Sequence, residues 1–404
     1  MIMKKVALHW QILIALFLAV IFGVLFPGHV SYVGWMGELF LRALKMIIIP
    51  LVFSSIVSGV SNIGSPKHLG RLSAKTFLYY ISTSLIAILT GLLMVTVLRP
   101  GVGADLNLVQ PVDNFTAQPL GVTLMKIIPE NIISSFSDNS QMLAVIFFGL
   151  LFGFFITRIP RESNVLLTGI FNALFETMMK ITLFVIRFTP LGIFGLVAVK
   201  VAGQDDFLAL IQSLGLYMIA VILGLIVHSG ITLPLVVRII GKVNPIRHFK
   251  AMRLPLITAF STASSNATLP LTVEAVKNNA GVSGKVSSFT LPLGATINMD
   301  GTALYECVAV IFIAQAYGIE LTFAQTLVVV FTALLASIGA AGVPMAGLVM
   351  MTIVLTAVGL PLEGIGLILA VDRILDMFRT TVNVWSDTCG AVVIARTEGE
   401  TLKV

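Results

Sequence analysis

Long apolar runs separated by short polar connections fill this chain. After Lys4 and Lys5 one run extends to Phe26, and others occupy about 33–63, 76–98, 119–157, 163–200, 207–241, 286–318, 321–357 and 363–395. A helix that crosses a bilayer needs about 20 apolar residues, and this pattern predicts an all-α polytopic membrane protein. The first run is long for a signal peptide and is followed by no convincing small-x-small cleavage site, so it reads as a retained first helix.

The connections assign the sides. Basic residues gather in four of them: Lys67, Arg71 and Lys75; Arg158 and Arg161; Arg238, Lys242, Arg247, Lys250 and Arg253; and Lys277 and Lys285. The alternate connections carry Asp105 and Asp113, then Asp205 and Asp206. With the positive side cytoplasmic, six spans reach residue 250 from a cytoplasmic N-terminus. Residues 254–276 then lie between two basic connections, too short for two spans at 1.5 Å per residue, and their polar middle runs Ser261-Thr262-Ala263-Ser264-Ser265-Asn266. A re-entrant hairpin satisfies that geometry. Residues 321–357, with Ser337-Ile338-Gly339-Ala340-Ala341-Gly342-Val343-Pro344 at their centre, predict a second hairpin from the opposite face, because the last helix must end beside the basic tail at Arg396.

The expectation is therefore eight transmembrane helices plus two re-entrant hairpins, with both termini cytoplasmic in a cell (inner or plasma) membrane. Non-helical backbone at membrane depth must be buried in protein or line a water-filled site. Two hairpin–helix units of opposite orientation form inverted repeats, the pointer to a secondary transporter with a midplane site. The competing reading makes the small-residue tips mere helix-packing surfaces.

Composition agrees: 57% of the 404 residues are hydrophobic and 11% charged, against about 25% charged in soluble domains. The net charge of +6 is small and scattered, which gives no reason to expect nucleic-acid binding. Cys307 and Cys389 both lie in apolar segments, as packing residues do. The five histidines, His9, His29, His68, His228 and His248, are scattered, and no metal or nucleophile constellation appears, so no enzyme is expected.

With so few charges, each one inside an apolar run needs a reason. The last run holds Asp372, Arg373, Asp376, Arg379, Asn383 and Asp387. At about 100° per residue, Asp372, Asp376, Arg379, Asn383 and Asp387 fall within roughly 80° of one another, with Thr380 and Arg373 beside them. A charge at the bilayer centre costs about 2.5–3.5 kcal/mol, so the stripe must face partners, water or ligand. Internal ion pairs such as Asp376 with Arg379 are one explanation, yet they leave an excess of acid and no role for Asn383. A zwitterion with an extra carboxylate is the other: Arg379 clamps the carboxylate, Asp376 takes the ammonium, and Asn383 and Asp387 offer oxygens to a hard cation.

The preceding run carries Asn298-Met299-Asp300-Gly301-Thr302 at its centre. That cluster predicts local unwinding, which frees backbone carbonyls to replace a cation's hydration shell. One turn later Glu306 stands in an apolar wall, where a carboxyl can carry a proton or be held as a structural acid by a hydroxyl.

Four ordered stretches, TAFSTASSNATLP (258–270), LGATINMDGT (293–302), SIGAAGVPMAG (337–347) and DRILDMFRTTVNVWSD (372–387), resemble the dicarboxylate/amino acid:cation symporter family, which includes archaeal aspartate transporters and animal excitatory amino acid transporters. The resemblance implies a homotrimer working as an elevator. In it, 1–73 (spans 1–2) and 100–200 (spans 4–5) form a scaffold, while 74–99 (span 3) and 201–404 (span 6, hairpin 1, span 7, hairpin 2, span 8) form the moving transport domain.

Carried over, Arg379 binds the substrate side-chain carboxylate and Asp376 its amino group, with Thr302, Asn383, Thr380 and the tips at Ser264, Ser265, Gly342 and Val343 completing the pocket. One cation site uses Gly294, Asn298, Asn383 and Asp387; a second uses carbonyls of Thr296, Ser337, Ile338 and Ala340; a third uses Tyr80, Thr83, Ser84, Asn298 and Asp300. Glu306 matches the animal and proton-coupled members, which adds H⁺ to Na⁺ as a coupling ion and K⁺ as a candidate counter-ion. Arginines that other members place at a hairpin tip or after the substrate aspartate are replaced by Ala263 and Met377, leaving Arg373 as the candidate auxiliary charge.

The expected function is cation-driven uptake of L-glutamate or L-aspartate, with no organic cofactor. A C4-dicarboxylate symporter would not need Asp376, a neutral amino acid carrier would not need Arg379, and an anion-conducting channel would also place polar groups at the midplane. The sequon Asn114-Phe115-Thr116 matters only in a glycosylating host.

Overall fold

The computed structural model describes residues 8–61, 70–103, 125, 128–138, 141–203, 207–339 and 346–404. The regular structure of those residues is helical throughout. The helices are α1 (Leu8–Leu25), α2 (Ser31–Ser61), α3 (Gly70–Leu98), α4 (Ile132–Phe136), α5 (Met142–Ile156), α6 (Arg161–Ile186), α7 (Thr189–Ala202), α8 (Phe207–Val227), α9 (Leu233–Ile239), α10 (Pro245–Ala251), α11 (Arg253–Thr262), α12 (Ser265–Ala275), α13 (Gly284–Ile297), α14 (Asp300–Ala316), α15 (Phe323–Gly339), α16 (Ala346–Ala357) and α17 (Ile365–Thr397).

Among the described residues, five helical stretches are long and apolar enough to cross a membrane: Ser31–Ser61, Arg71–Leu98, Arg161–Ile186, Ile211–Ile239 and Gly284–Ala316. Shorter apolar helices cover Trp10–Leu25, Ala144–Ile156, Thr189–Ala202 and Phe323–Ser337.

Several runs that read as single spans are broken, each for a local reason. Run 163–200 is interrupted at Arg187 and Phe188, and Pro190 falls in the first turn of α7, where its missing N–H costs no helical bond. The run 207–241 is α8 and α9 joined by a π-helical turn over His228–Thr232, with Pro234 opening α9. The run 286–318 is α13 and α14, separated by Asn298 and Met299, whose backbone leaves the helical region (ψ 84° and 59°). This is the unwinding that the polar cluster predicts.

α11 and α12 form a helical hairpin and pack against each other. Ala263 between them takes a positive φ of 49°, and the Ser264 side chain accepts from the Ala267 N–H to cap α12. α15 and α16 also pack together, but the tip that joins them, with Ala340, Gly342 and Val343, lies outside the described residues, as does the Asn114 sequon.

Packing sorts the helices. α2 packs on α5, α6 and α7, and α1 on α7; Phe53 of α2 gathers Phe136, Phe148, Phe152 and Phe171 from α4, α5 and α6. α14 lies against α3, α8, α15, α16 and α17. Nearly every residue of α14 is buried, so its apolar surface is covered by neighbours on all sides.

Beyond α17 the C-terminal tail ties several elements together. Glu398 bonds Arg71 at 2.9 Å and Lys75 at 2.6 Å. Glu400 accepts from the Ser283 N–H at 2.9 Å, and the Lys403 N–H donates to the Ala280 carbonyl. Hydrogen bonds from Arg71 and Lys75 hold the Glu398 carboxyl well below the ordinary range, at about 2.

Candidate functional site

α17 supplies the polar stripe, and its neighbours bury it. Arg379 is 1% exposed, and its Nη2 lies 2.8 Å from Asp376 Oδ1 and 3.2 Å from Asp372 Oδ1. Asp372 also accepts from the Tyr305 hydroxyl at 2.7 Å. The guanidinium carbon lies 3.8 Å from the Tyr305 ring centroid, so the aromatic face adds cation–π attraction at a buried position. Nε and Nη1 of Arg379 have no hydrogen-bond partner among the described residues. A buried guanidinium with two free donors is equipped to take a carboxylate.

Arg373, also on α17, places Nη1 3.5 Å from Asp376 Oδ2. Asp376 therefore stands between two guanidiniums, one tight and one loose. The ion pairing weighed against a ligand role is present, and it still leaves two of the three guanidinium nitrogens of Arg379 unspent.

The helix break brings α14 onto this stripe. The Gly301 N–H donates to Asn383 Oδ1 at 2.8 Å, and Asn383 Nδ2 donates to Thr302 Oγ1 at 3.1 Å. Gly301 permits this approach: a Cβ there would come within 2.5 Å of the Arg379 carbonyl oxygen. Thr380 is buried beside them.

A second polar cluster lies where α3, α13, α14 and α17 meet. Asp300 Oδ1 accepts from Ser84 at 2.6 Å and Thr83 at 3.4 Å; its Oδ2 accepts from Ser386 at 2.6 Å. Asn298 donates to Asp387 Oδ1 at 2.9 Å and to Ser386 at 3.0 Å. Gly294 backs onto Asp387 and the Tyr80 hydroxyl, so that a side chain there would overlap both. Tyr80 itself donates to the Thr290 carbonyl. Tyr80, Thr83, Ser84, Gly294, Asn298, Asp300 and Asp387 thus meet as a concentration of carboxylate, amide and hydroxyl oxygens suited to hard cations.

The other expected residues make no side-chain hydrogen bond to these clusters among the described residues. The Ser337 hydroxyl bonds the Leu334 carbonyl and the Thr296 hydroxyl the Leu293 carbonyl, each within its own helix. Ile338 lies in the last turn of α15. Ser264 caps α12 after the turn at Ala263, and Ser265 is the first residue of that helix. Glu306, one turn beyond Thr302, is fully buried with neither carboxyl oxygen hydrogen-bonded among the described residues.

Sequence reasoning passed over His228, Ser386 and Tyr305. His228 is completely buried, and its Nε2 lies 3.0 Å from Asp300 Oδ2, so at least one histidine is not merely scattered. The available signal was an imidazole inside an apolar span, which is costly without a partner. Among the described residues no group of three or more His, Cys, Asp or Glu side chains is arranged to hold a metal.

Residues 8–397 match the model of the sodium:dicarboxylate symporter family. The chain is 37% identical to excitatory amino acid transporter 3 of Mus musculus, an alignment covering 96% of this chain and 85% of that one. It is 36% identical to an excitatory amino acid transporter of Caenorhabditis elegans, over 91% and 82%. With the proton/glutamate-aspartate symporter of Escherichia coli (strain K12) it shares 34% identity over 98% and 93%.

Proposed function

The chain belongs to the sodium:dicarboxylate symporter family, and on that premise we propose that it takes up acidic amino acids, glutamate and aspartate, by cation symport. The observation that carries this reading is Arg379, buried, with Nε and Nη1 free, beside an Asp376 carboxylate. That pair suits a solute with a carboxylate at one end and an ammonium at the other. A C4-dicarboxylate would use Arg379 and leave Asp376 without an ammonium. The names of the mouse, worm and bacterial relatives point to the same solutes.

In this reading Arg379 receives the side-chain carboxylate, Asp376 the amino group, and Thr302, Thr380, Asn383 and the tips at Ser264, Ser265, Gly342 and Val343 close the pocket. Sodium ions use the cluster of Tyr80, Thr83, Ser84, Gly294, Asn298, Asp300, Asn383 and Asp387, with carbonyls of Thr296, Ser337, Ile338 and Ala340 forming another site. Glu306 carries the proton, and K⁺ returns in the opposite direction. Arg373 shares Asp376 with Arg379 until the substrate ammonium replaces it. Asn383 bonds both Gly301 and Thr302 and stands on the stripe with Asp387, so substrate and cation share structural supports.

The working assembly in this proposal is a homotrimer in a cell membrane, with eight spans, two re-entrant hairpins and cytoplasmic termini. Residues 1–73 and 100–200 stand as scaffold while 74–99 and 201–404 move as an elevator. Uptake of labelled glutamate, aspartate and succinate into proteoliposomes under separate Na⁺, H⁺ and K⁺ gradients tests it. Succinate uptake without aspartate uptake would overturn the substrate assignment; uptake indifferent to every gradient would overturn symport.

A further inference from the structure

Away from the polar clusters, α9, α10, α11 and α17 enclose an open groove of about 380 Å³. Its lining is apolar: Pro234, Ile246, Phe249, Leu256, Val382 and Trp385 carry most of it. Trp385 is held in place, because its Nε1–H donates to the Ser229 carbonyl at 3.1 Å and its ring stacks on His248 at 5.1 Å. Phe249 meets the same indole edge-on at 5.6 Å. Ile246 is 68% and Phe249 53% exposed, so the groove opens outward rather than into the core.

The rim is basic. Arg238 lies four residues after Pro234, Lys250 four after Ile246, and Arg253 three before Leu256. At helical spacing each shares a face with a groove residue. All three are exposed, and none has an ion-pair partner among the described residues. Lys242 and Arg247 add to the same connection, and no acidic residue occurs between 207 and 273.

We propose that this groove binds an anionic phospholipid of the surrounding bilayer, one acyl chain lying along Phe249, Leu256 and Trp385 and the phosphate at Arg238, Lys250 and Arg253. The apolar trough accounts for the chain, and the unpaired cations account for the choice of headgroup. Basic pockets between spans on the cytoplasmic side bind acidic headgroups on these terms, each Lys or Arg contributing about fivefold in preference. The site stands whichever solute the protein carries.

Trp385 is also the reporter. The chain has three tryptophans, and Trp10 and Trp35 are exposed, so Trp10→Phe with Trp35→Phe leaves Trp385 alone. The doubly substituted protein is reconstituted into phosphatidylcholine vesicles containing increasing fractions of brominated-chain phosphatidylglycerol, or of brominated-chain phosphatidylcholine. The expected result is half-maximal quenching of Trp385 by the anionic lipid at a mole fraction at least about fivefold lower. In Arg238→Gln/Lys250→Gln/Arg253→Gln the two lipids should quench alike, and Lys250→Gln alone should remove most of one charge's share. Equal quenching in the unsubstituted rim would overturn the proposal, as would no quenching by either lipid. A preference unchanged by both rim variants would overturn the assigned phosphate contacts.

Discussion

Replacing Gly301 by alanine perturbs the junction on which the whole site is built. The added Cβ would stand 2.5 Å from the Arg379 carbonyl oxygen and 3.0 Å from its Cα, whereas ordinary contacts begin near 3.4 Å. Both neighbours are backbone, so no side chain can rotate away; α14 and α17 must separate by about 0.5–0.9 Å. The Gly301 N–H to Asn383 Oδ1 bond, now 2.8 Å, would stretch to about 3.3–3.7 Å and largely be lost. Overpacking costs about 1–3 kcal/mol, and the lost bond about 1 kcal/mol more. A displacement of this size at a binding site can lower transport efficiency by about a hundredfold. Thermal unfolding of the purified protein should show a melting temperature lowered by several degrees, and aspartate uptake should show a raised KM. If Gly301→Ala matches the parent in both, the close approach of α14 and α17 does not set the site.

Arg373→Gln should change the KM for aspartate several-fold and shift the preference for aspartate over succinate, with little loss of stability because its contact with Asp376 is loose, at 3.5 Å; unchanged uptake kinetics would remove Arg373 from the site. Glu306→Gln keeps the shape and removes the exchangeable proton, so uptake should become insensitive to an imposed pH gradient while remaining Na⁺-dependent, and proton-driven uptake that survives would assign that role elsewhere. Stability should fall on acidification. Burial pushes the His248 pKa down to about 4, so between pH 6.5 and 4 the unfolded chain binds the extra proton and is favoured, by about 2 kcal/mol at pH 5. Glu398, held at about 2 by Arg71 and Lys75, adds a further loss below pH 4.5. Melting temperatures measured from pH 7.5 to 5 should decline, and His248→Phe should flatten that decline; equal slopes would refute the assignment.

The apolar runs and basic connections were enough to identify a membrane protein built from helices, because a bilayer permits few ways to satisfy a backbone. The stripe on α17 was equally legible. Helical periodicity places Asp376, Arg379, Asn383 and Asp387 on one side, and their cost in an apolar medium requires a use for them. The NMDGT cluster announced the interruption now seen at Asn298 and Met299. These are local properties, fixed by residue type and spacing within one segment.

Tertiary packing decided the rest. No pattern within 207–241 indicates that His228 meets Asp300, 72 residues away, or that Ser386 bridges Asp300 and Asn298. Arg379 shows the division most clearly. Its position in an apolar run demanded a partner, but spacing allowed either a closed ion pair or an open clamp. The structure does both: Asp372, Asp376 and the Tyr305 ring hold the charge, while two donors stay free. Chain periodicity specifies which side chains share a face. Only the approach of α14 through Gly301 specifies what that face meets.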